Sequence, residues 1–201
     1  MKKLFSAFLC ITVILATLIL PVSAAKHTVV SGDSLWKIAN QYQTGLSEIK
    51  KANPQIKNYD LIYPGQTIHI PTVDHSVMNF EQEVIRLVNE LRAQHRLKPL
   101  AHHWELSRVA RYKSQDMKEH RYFSHTSPVY GTPFQMIKSF GISYRSAGEN
   151  IARGYSTPQA VVDGWMNSPG HRSNILNSAY THIGVGYVAS GHYWTQMFIS
   201  Q

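Results

Sequence analysis

The most informative run of this sequence is Gly148-Glu149-Asn150-Ile151-Ala152, and further along the chain it is followed by Ser168-Pro169-Gly170-His171-Arg172-Ser173-Asn174-Ile175-Leu176. Upstream of both lies a third run, Phe123-Ser124-His125. These runs bring two imidazoles and one carboxylate into segments that are bracketed by glycine and predict loops. Loop residues with chemistry of this kind commonly lie at the rim of a cleft, where a rigid scaffold presents them. The sequence therefore predicts a cleft built around the two histidines and the glutamate.

The three motifs, in this order and at this spacing, resemble the CAP superfamily of cysteine-rich secretory, antigen 5 and pathogenesis-related-1 proteins. The similarity is to the bacterial secreted branch in particular, and it covers about residues 80–201. It implies an α+β fold, a three-layer α-β-α sandwich. It also implies a large cleft with two histidines and two glutamates, in which the histidines can bind a divalent metal such as zinc.

Three of the four implied cleft positions are matched by this sequence. His125 and His171 match the histidines, and Glu149 matches one glutamate. The second glutamate is expected three residues after a tryptophan, where this chain has Ser168. Asp163 replaces that carboxylate only if its helix turns it inward, so the sequence leaves a complete set of four in doubt.

Two histidines and one carboxylate allow several kinds of chemistry. A carboxylate that accepts from an imidazole N–H fixes its tautomer and raises its basicity. The imidazoles of His125 and His171 together can hold Zn²⁺ or another divalent cation and polarise a water for hydrolysis. Two protein ligands are fewer than the three typical of catalytic zinc, so such an ion is expected to bind weakly. The alternative is a polar network that only satisfies buried groups.

The N-terminus has the make-up of a secretory signal peptide over residues 1–25. Two lysines open the chain, residues 4–20 are apolar or small, and a proline with small residues closes the run. This pattern predicts cleavage after Ala24 or Ala25. The alternative is an uncleaved anchor helix, because the apolar run approaches the roughly 20 residues that span a bilayer.

Cysteine content and charge narrow the class of protein. Cys10 is the only cysteine and lies in the predicted leader, which favours an exported bacterial protein stabilised by packing and not by disulfides. The formal charge is +8, and loss of the two leader lysines leaves about +6. A basic exported chain is attracted to teichoic acids, peptidoglycan carboxylates and anionic lipid. The cations are spread out and no nucleic-acid motif occurs, so nucleic acid is not expected as a partner.

Residues 26–71 predict a small βααβ module. A β-prone run at 27–30 precedes the turn at Gly32, and Asp33 is positioned to cap a helix. Two short helices, 35–40 and 46–52, and a strand at 67–71 follow.

This order of elements, with Gly-Asp-Ser-Leu-x-x-Ile-Ala early and Pro-Gly-Gln-x-Ile-x-Ile-Pro late, resembles a single LysM domain. The resemblance implies binding of N-acetylglucosamine-containing glycans such as peptidoglycan in a shallow groove between two turns. The positions that match the groove are Gly32, Asp33, Ser34, Leu35, Asn53, Pro54, Ile62 and Tyr63. Leu35 is more typical of core packing than of ligand contact, and one LysM copy is expected to bind weakly.

The rest of the chain predicts a linker over 72–79 and a second domain over 80–201. Apolar residues at helical spacing predict a helix from Phe80 to about 94 and another around 106–117. The second of these is expected to carry a polar face with Arg108, Arg111, Lys113 and Lys118.

Two Thr-Pro pairs open further helices in this domain, over 132–140 and 157–166. Residues 183–199 predict a terminal β-hairpin. Helices first and an antiparallel sheet last are typical of a layered α+β domain.

These features predict a secreted protein of the cell wall or spore envelope, with no membrane span after signal cleavage. Its LysM module is expected to bind peptidoglycan glycan, and its CAP domain to present a cleft with two histidines and one glutamate. The first alternative is a wall hydrolase, peptidase or glycan-cleaving, that uses this cleft with or without zinc. The second is lipid or small-molecule binding by the CAP domain, which needs a contiguous apolar groove.

Overall fold

The computed structural model describes residues 25–71 and 73–201. Apart from Ala25, the predicted signal peptide lies outside the described residues. Within the two described ranges, no helix combines the length and the apolar character needed to cross a membrane. The first range forms an N-terminal module, and the second forms a larger C-terminal domain.

The N-terminal module is a two-stranded sheet covered by two short helices. Its elements are β1 (Ala25–Thr28), α1 (Leu35–Gln41), α2 (Leu46–Ala52) and β2 (Thr67–Ile70). β1 and β2 pair antiparallel, with Ala25 opposite Ile70. The buried apolar core consists of Val29, Leu35, Ile38, Ala39, Ile49, Ile56, Ile68 and Ile70.

The cap of α1 differs from the prediction. Ser34, and not Asp33, is the N-cap, and its side-chain oxygen accepts from the Lys37 N–H. The Asp33 carboxylate instead accepts from the Val30 N–H at 2.9 Å and closes the turn before the helix. Gly32 lies in that turn with φ +90°, a conformation that favours glycine.

The C-terminal domain has a four-stranded sheet between layers of helices. Its elements are α3 (His75–Gln94), β3 (Ala101–His102), α4 (Trp104–Glu119), α5 (Pro133–Ser139), β4 (Ser146–Arg153), α6 (Pro158–Met166), α7 (Pro169–Ile175), β5 (His182–Val188) and β6 (Tyr193–Ser200). The strand order is β3-β5-β6-β4. β3 runs parallel to β5, and the other neighbouring strands are antiparallel.

Alternation along β6 divides the core into two layers. Trp194 and Phe198 face one side, where they pack with residues of α3 and α6 such as Val84 and Val161. Met197 and Ile199 face the other side, where they pack with α4 and α5. Successive side chains of a strand point to opposite faces, so one strand serves both cores. The α+β prediction is confirmed, and the helices lie on both faces of the sheet.

The first long helix starts earlier than predicted. Asp74 caps it by accepting from the Ser76 N–H at 2.7 Å, and the helix begins at His75. Val77, in its first turn, packs against the core of the domain. Residues 75–79 are therefore helical, and the predicted linker over 72–79 is wrong in that part.

Two segments that the sequence predicted as loops are regular structure. The Gly-Glu-Asn run lies in β4, where Glu149 pairs with Met197 of β6. His171 lies within the short helix α7, which begins at Pro169. Glu149 and His171 are therefore held by backbone hydrogen bonds of a strand and a helix, whereas His125 lies in the loop between α4 and α5.

Candidate functional site

Strand β4 brings Glu149 under the surface of the C-terminal domain. The strand lies at one edge of the sheet, and its side chains alternate between the two faces. Ile151 packs with Met117 of α4, which places Glu149 on the α4 side as well. Asn150 points the opposite way, toward α7.

Glu149 and His125 form a hydrogen-bonded pair. The two atoms that meet are His125 Nδ1 and Glu149 Oε1, at 2.7 Å. The Glu149 side chain is 2% exposed, whereas that of His125 is 52% exposed. Burial raises the pKa of Glu149, and the hydrogen bond from His125 opposes that rise. The bond occupies Nδ1, so Nε2 is the nitrogen left to meet a substrate, water or metal ion.

A buried lysine holds the segment that carries His125. Lys113 of α4 is fully buried, and its Nζ donates to the His125 carbonyl oxygen at 2.9 Å and to the Tyr122 hydroxyl at 3.0 Å. Burial lowers the pKa of Lys113, and the nearby Glu149 and Asp116 carboxylates oppose this. The ammonium therefore supports the His125 backbone and balances the carboxylates beneath the cleft.

Asp116 fixes the far end of the same segment. It is buried, and its Oδ2 accepts from the hydroxyls of Tyr122 and Ser127. Ser127 Oγ in turn accepts from the N–H groups of Val129 and Tyr130. This network orders the residues after His125 on the surface of α4.

His171 is positioned by two asparagines. Asn150 Nδ2 donates to the His171 carbonyl at 3.1 Å, and Asn174 Nδ2 donates to Asn150 Oδ1 at 2.8 Å. These bonds tie α7 to β4 and set where His171 lies at the sheet edge. Burial, together with the neighbouring His125, lowers the pKa of His171, which favours the neutral imidazole at neutral pH.

Neither Ser168, which occupies the expected position of the second glutamate, nor Asp163 supplies a carboxylate to the cleft. Ser168 is the N-cap residue of α7 and makes no side-chain capping bond. Asp163 lies on the exposed face of α6, where it accepts from Gln159 Nε2 at 2.9 Å. The cleft therefore contains one glutamate, and the oxygen Glu149 Oε2 is buried without a hydrogen-bond partner among the described residues.

This donor set does not fit a catalytic zinc site of the common type. In the described part of the chain, no group of three or more His, Cys, Asp or Glu side chains is arranged to hold a metal ion. Catalytic zinc is commonly held by three protein ligands. His125 Nε2 and His171 supply two at most, so only weak binding of a divalent cation is compatible with these residues.

The predicted polar face of α4 is largely covered by other parts of the chain. Lys113 is buried, Arg108 pairs with Glu48 of the N-terminal module, and Arg111 donates to the buried Glu81 at 2.6–2.9 Å. Sequence reasoning missed Lys113, Asp116 and Tyr122 because a charged residue at helical spacing is usually solvated. The signal lay in the spacing, since Lys113 and Asp116 share the buried face that carries Val109 and Met117.

The N-terminal module has an open groove of about 400 Å³ between its first helix and the chain after its second. The groove is lined by Asp33, Ser34, Leu35, Trp36, Leu46, Lys50, Tyr59, Asp60, Leu61 and Ile62. Four of the eight predicted glycan residues are among these. Trp36 and Leu61 were not predicted, although they are 66% and 50% exposed. The signal for Trp36 was its place on α1 opposite the buried Leu35 and Ile38.

The other predicted glycan residues lie in different environments. Tyr63 is 60% exposed, and Pro54 is also exposed. Asn53 is fully buried: its Nδ2 donates to the carbonyls of Ile49 and His69, and its Oδ1 accepts from the His69 N–H. The Asn53 side chain therefore joins α2 to β2, whereas Tyr63 is accessible to a ligand.

Asp33 is anchored at the groove by neighbours on the strand side. Its carboxylate accepts from the Val30 N–H and lies 2.9 Å from His27 Nε2. The backbone hydrogen bond from Val30 and the hydrogen bond with His27 lower the pKa of Asp33. A fixed, ionised carboxylate at this edge can accept from sugar hydroxyl or amide N–H groups.

The C-terminal domain also has a mostly apolar depression of about 390 Å³. Its lining includes Val73, Val77, Tyr112, Tyr187 and Val188. The volume lies in the range of small-molecule sites. It is a place where a small apolar ligand fits, and binding of lipid or small molecules by this domain stays a prediction.

Comparison with known families agrees with this architecture. The model of the cysteine-rich secretory protein family, CAP, matches residues 85–199. The chain belongs to the CAP family. The LysM domain model matches residues 27–71, so a LysM domain precedes the CAP domain.

Similar proteins occur in Bacillus. Over 126 residues the chain is 60% identical to YkwD of Bacillus subtilis (strain 168), which covers 63% of this chain and 49% of YkwD. It is 35% identical over 171 residues to the membrane protein YlbC of the same strain, covering 81% of this chain and 49% of YlbC. The chain thus spans about half the length of these curated relatives.

A solved structure supports the fold. An extracellular protein containing an SCP domain from Bacillus anthracis str. Ames superposes with a TM-score of 0.61 at 35% sequence identity. The match covers 69% of this chain and 47% of that protein.

Proposed function

We propose that this chain is a cell-wall-associated protein whose LysM domain binds N-acetylglucosamine-containing glycan of peptidoglycan. The CAP domain then presents the cleft of His125, Glu149 and His171 to the wall. The observation that carries the proposal is the open groove of the LysM domain, with Trp36 and Leu61 exposed along it. Apolar and aromatic surface with a few fixed polar groups is the usual composition of a small-ligand site.

Net charge supports the same location. The formal charge of +8 includes the two leader lysines, and the charge of about +6 that remains after cleavage favours accumulation at an anionic wall, because long-range attraction raises the local concentration of the partner. The predicted signal peptide supplies the route out of the cell. We therefore place the protein at the cell wall or spore envelope.

Titration with N-acetylglucosamine oligomers, followed by NMR, tests the proposal. The mature chain from Lys26 is compared with Leu61→Ala and with Val30→Ala. Both residues are exposed apolar side chains of the LysM domain, but only Leu61 lines the groove. We expect shifts at groove residues that weaken in Leu61→Ala and persist in Val30→Ala. Equal binding by all three proteins, or shifts confined to the CAP domain, would contradict a groove site.

A wall hydrolase is the second candidate, and the His125–Glu149 pair favours it. A carboxylate bonded to Nδ1 orients the imidazole and makes Nε2 a stronger base. Nε2 of the half-exposed His125 can then take a proton from water that attacks a wall bond. Without the second glutamate, the cleft has no carboxylic acid other than Glu149 to protonate a leaving group.

Mass spectrometry of soluble fragments separates the two candidates. Purified peptidoglycan is incubated with the mature protein, with and without zinc, beside a His125→Ala/His171→Ala variant. Fragments made by the wild type and absent with the variant would establish a hydrolase, and their masses would name the bond. A binding protein produces no fragments under either condition.

A further inference from the structure

The LysM domain docks on the CAP domain through the start of α2, where Ser47 Oγ accepts from Arg108 Nη2 at 2.8 Å. Glu48 of α2 accepts from Arg108 Nε at 2.6 Å and from Arg108 Nη2 at 2.8 Å. The Tyr112 hydroxyl donates to Glu48 Oε1 at 2.9 Å. Arg108 and Tyr112 are one turn apart on α4, so they approach the carboxylate from the same face of the helix.

The surroundings of this contact withdraw it from water. The Glu48 and Arg108 side chains are 24% and 18% exposed. The Arg108 guanidinium carbon lies 5.4 Å from the ring centre of Tyr112 and 5.0 Å from that of Phe140. A bidentate arginine–carboxylate pair with restricted exposure and stacking is stronger than an isolated surface pair. We call Glu48, Arg108, Tyr112 and Phe140 the docking cluster.

Gly45 shows how closely the two domains approach. A Cβ added to Gly45 would lie 2.2 Å from Arg108 Nε and 2.1 Å from Glu48 Oε2. The backbone of Gly45 is in the ordinary extended region, with φ −76°, so alanine fits its conformation. An alanine there would displace the guanidinium from the carboxylate without changing any charge.

Elsewhere between the domains the packing is open. A cavity of about 320 Å³ lies between LysM residues such as Tyr42 and Thr44 and CAP residues such as Gln82 and Trp104. Side chains that border a cavity lack contacts on that side. The salt bridge that joins the two domains within the described residues is the Glu48–Arg108 pair of the docking cluster.

The docked helices both reach a functional region. Leu46 and Lys50 of α2 line the glycan groove on either side of Glu48 in sequence. On α4, Lys113 follows Tyr112 and supports the His125 carbonyl. A helix is rigid over a few turns, so a fixed contact between α2 and α4 fixes the groove relative to the cleft.

We propose that the docking cluster locks the LysM and CAP domains into one rigid body. Glycan bound in the LysM groove then has one fixed orientation when it reaches the His125–Glu149 cleft. The rigid association of the domains is inferred directly from the contacts of Glu48 with Arg108 and Tyr112. The presentation of glycan rests on the proposed function of the groove.

Backbone ¹⁵N relaxation of the mature chain tests the locking. The wild type is expected to show one rotational correlation time for both domains. In Glu48→Ala and Gly45→Ala the LysM amides are expected to tumble faster than the CAP amides. Glu83→Ala is the control, because the Glu83–Arg86 pair lies on the exposed surface of α3. Separate correlation times in the wild type, or no change in both docking variants, would overturn the proposal.

A spin-labelled N-acetylglucosamine oligomer tests the presentation. In the wild type we expect the spin label to broaden the NMR signals of residues near His125. In Glu48→Ala we expect this broadening to be lost. The chemical-shift changes of groove residues on binding should remain in Glu48→Ala, because Glu48 does not line the groove. Groove binding without broadening at the cleft in the wild type would overturn the presentation step. Absence of any groove shift would instead reject the proposed function and leave the relaxation result standing.

Discussion

At the scale of single residues, the stability of the cleft depends on how the buried charges beneath it are compensated. Glu149 and Asp116 are buried carboxylates, and the buried Lys113 interacts electrostatically with both. Burying a charge costs several kcal/mol unless partners and hydrogen bonds compensate. The lysine therefore stabilises the ionised carboxylates as well as the backbone of His125.

Replacing Lys113 tests this balance. Lys113→Met keeps the length of the side chain and removes the ammonium, so the carboxylates lose their cation. We expect the free energy of unfolding to fall by about 1–3 kcal/mol, the usual cost of leaving buried acceptors such as the His125 carbonyl without their donor. Chemical denaturation measures it, with Lys118→Met on the same helix as the control. Equal small losses in both variants would show that Lys113 is not needed for the fold of the cleft.

The raised pKa of Tyr112 predicts how the free energy of unfolding changes with pH. Burial, and then its hydrogen bond to Glu48, raise the pKa of Tyr112 to about 12 from 10.0. A group whose pKa is raised on folding stabilises the fold below its unfolded pKa and loses that contribution as pH rises through the folded pKa. The stability advantage of wild type over Tyr112→Phe should thus be constant from neutral pH to pH 10 and decline from pH 10 toward pH 12. Denaturation at several pH values measures it, and an advantage that grows with pH would contradict the assignment.

Residue-scale prediction from sequence succeeded where a motif singles out the residue. Two short motifs far apart in the chain indicated that His125 and Glu149 share a cleft, whereas the structure shows that His125 is the histidine that pairs with the carboxylate. Lys113 had no such motif and is of a residue type usually found in solvent, whereas the LysM resemblance assigned Asn53 to the glycan groove and the structure buries it. Their burial depends on carbonyl groups supplied by other segments, which the sequence does not place.

At the scale of elements, the glycines of β5 set how α4 packs on the sheet. A Cβ on Gly184 would lie 2.4 Å from the backbone of Leu106 and Ser107. A Cβ on Gly186 would lie 2.1 Å from the Arg111 nitrogen. Helix and strand backbones can approach this closely only where the side chain is missing. The Ile-Gly-Val-Gly-Tyr-Val run therefore puts glycine against α4 and apolar residues in the other core.

Gly186→Ala tests this close approach. The new methyl group meets helix backbone, which cannot rotate away, so α4 must shift. We expect a loss of about 1–3 kcal/mol, as for other overpacked cores. The control is Gly170→Ala, since a Cβ there meets nothing within 4 Å. Thermal or chemical denaturation compares the two, and an equally stable Gly186→Ala would mean that α4 is free to move.

Helices and strands could be predicted where the sequence has a clear apolar spacing, cap or turn signal. Apolar spacing and Thr-Pro caps indicated α4, α5 and α6, and the terminal hairpin followed from its turn. β4 was missed because its two faces are both buried, Glu149 and Ile151 toward α4 and Asn150 toward α7. Such a strand lacks the alternation of apolar and polar residues that identifies a half-exposed strand.

At the scale of the whole molecule, a LysM groove and a CAP cleft are carried by one chain of 201 residues. The domain order and the α+β class could be predicted from sequence, because each domain has its own motifs. The contact between the domains could not, since Glu48 and Arg108 each read as ordinary surface charges. This arrangement is consistent with the proposal that the LysM domain binds the wall and the CAP domain presents its cleft to it.

Co-sedimentation of the mature protein with purified peptidoglycan tests whether the LysM groove recognises wall glycan. Wild type is compared with Trp36→Ala/Leu61→Ala in the groove and with Phe134→Ala, an exposed aromatic of the CAP domain, as the control. The assay is repeated at raised salt, which weakens non-specific charge attraction. We predict that wild type and Phe134→Ala pellet with the wall at both salt concentrations, while the groove variant stays in solution at raised salt. Equal pelleting of all three proteins, or loss of wild-type binding at raised salt, would contradict recognition of glycan by the LysM groove.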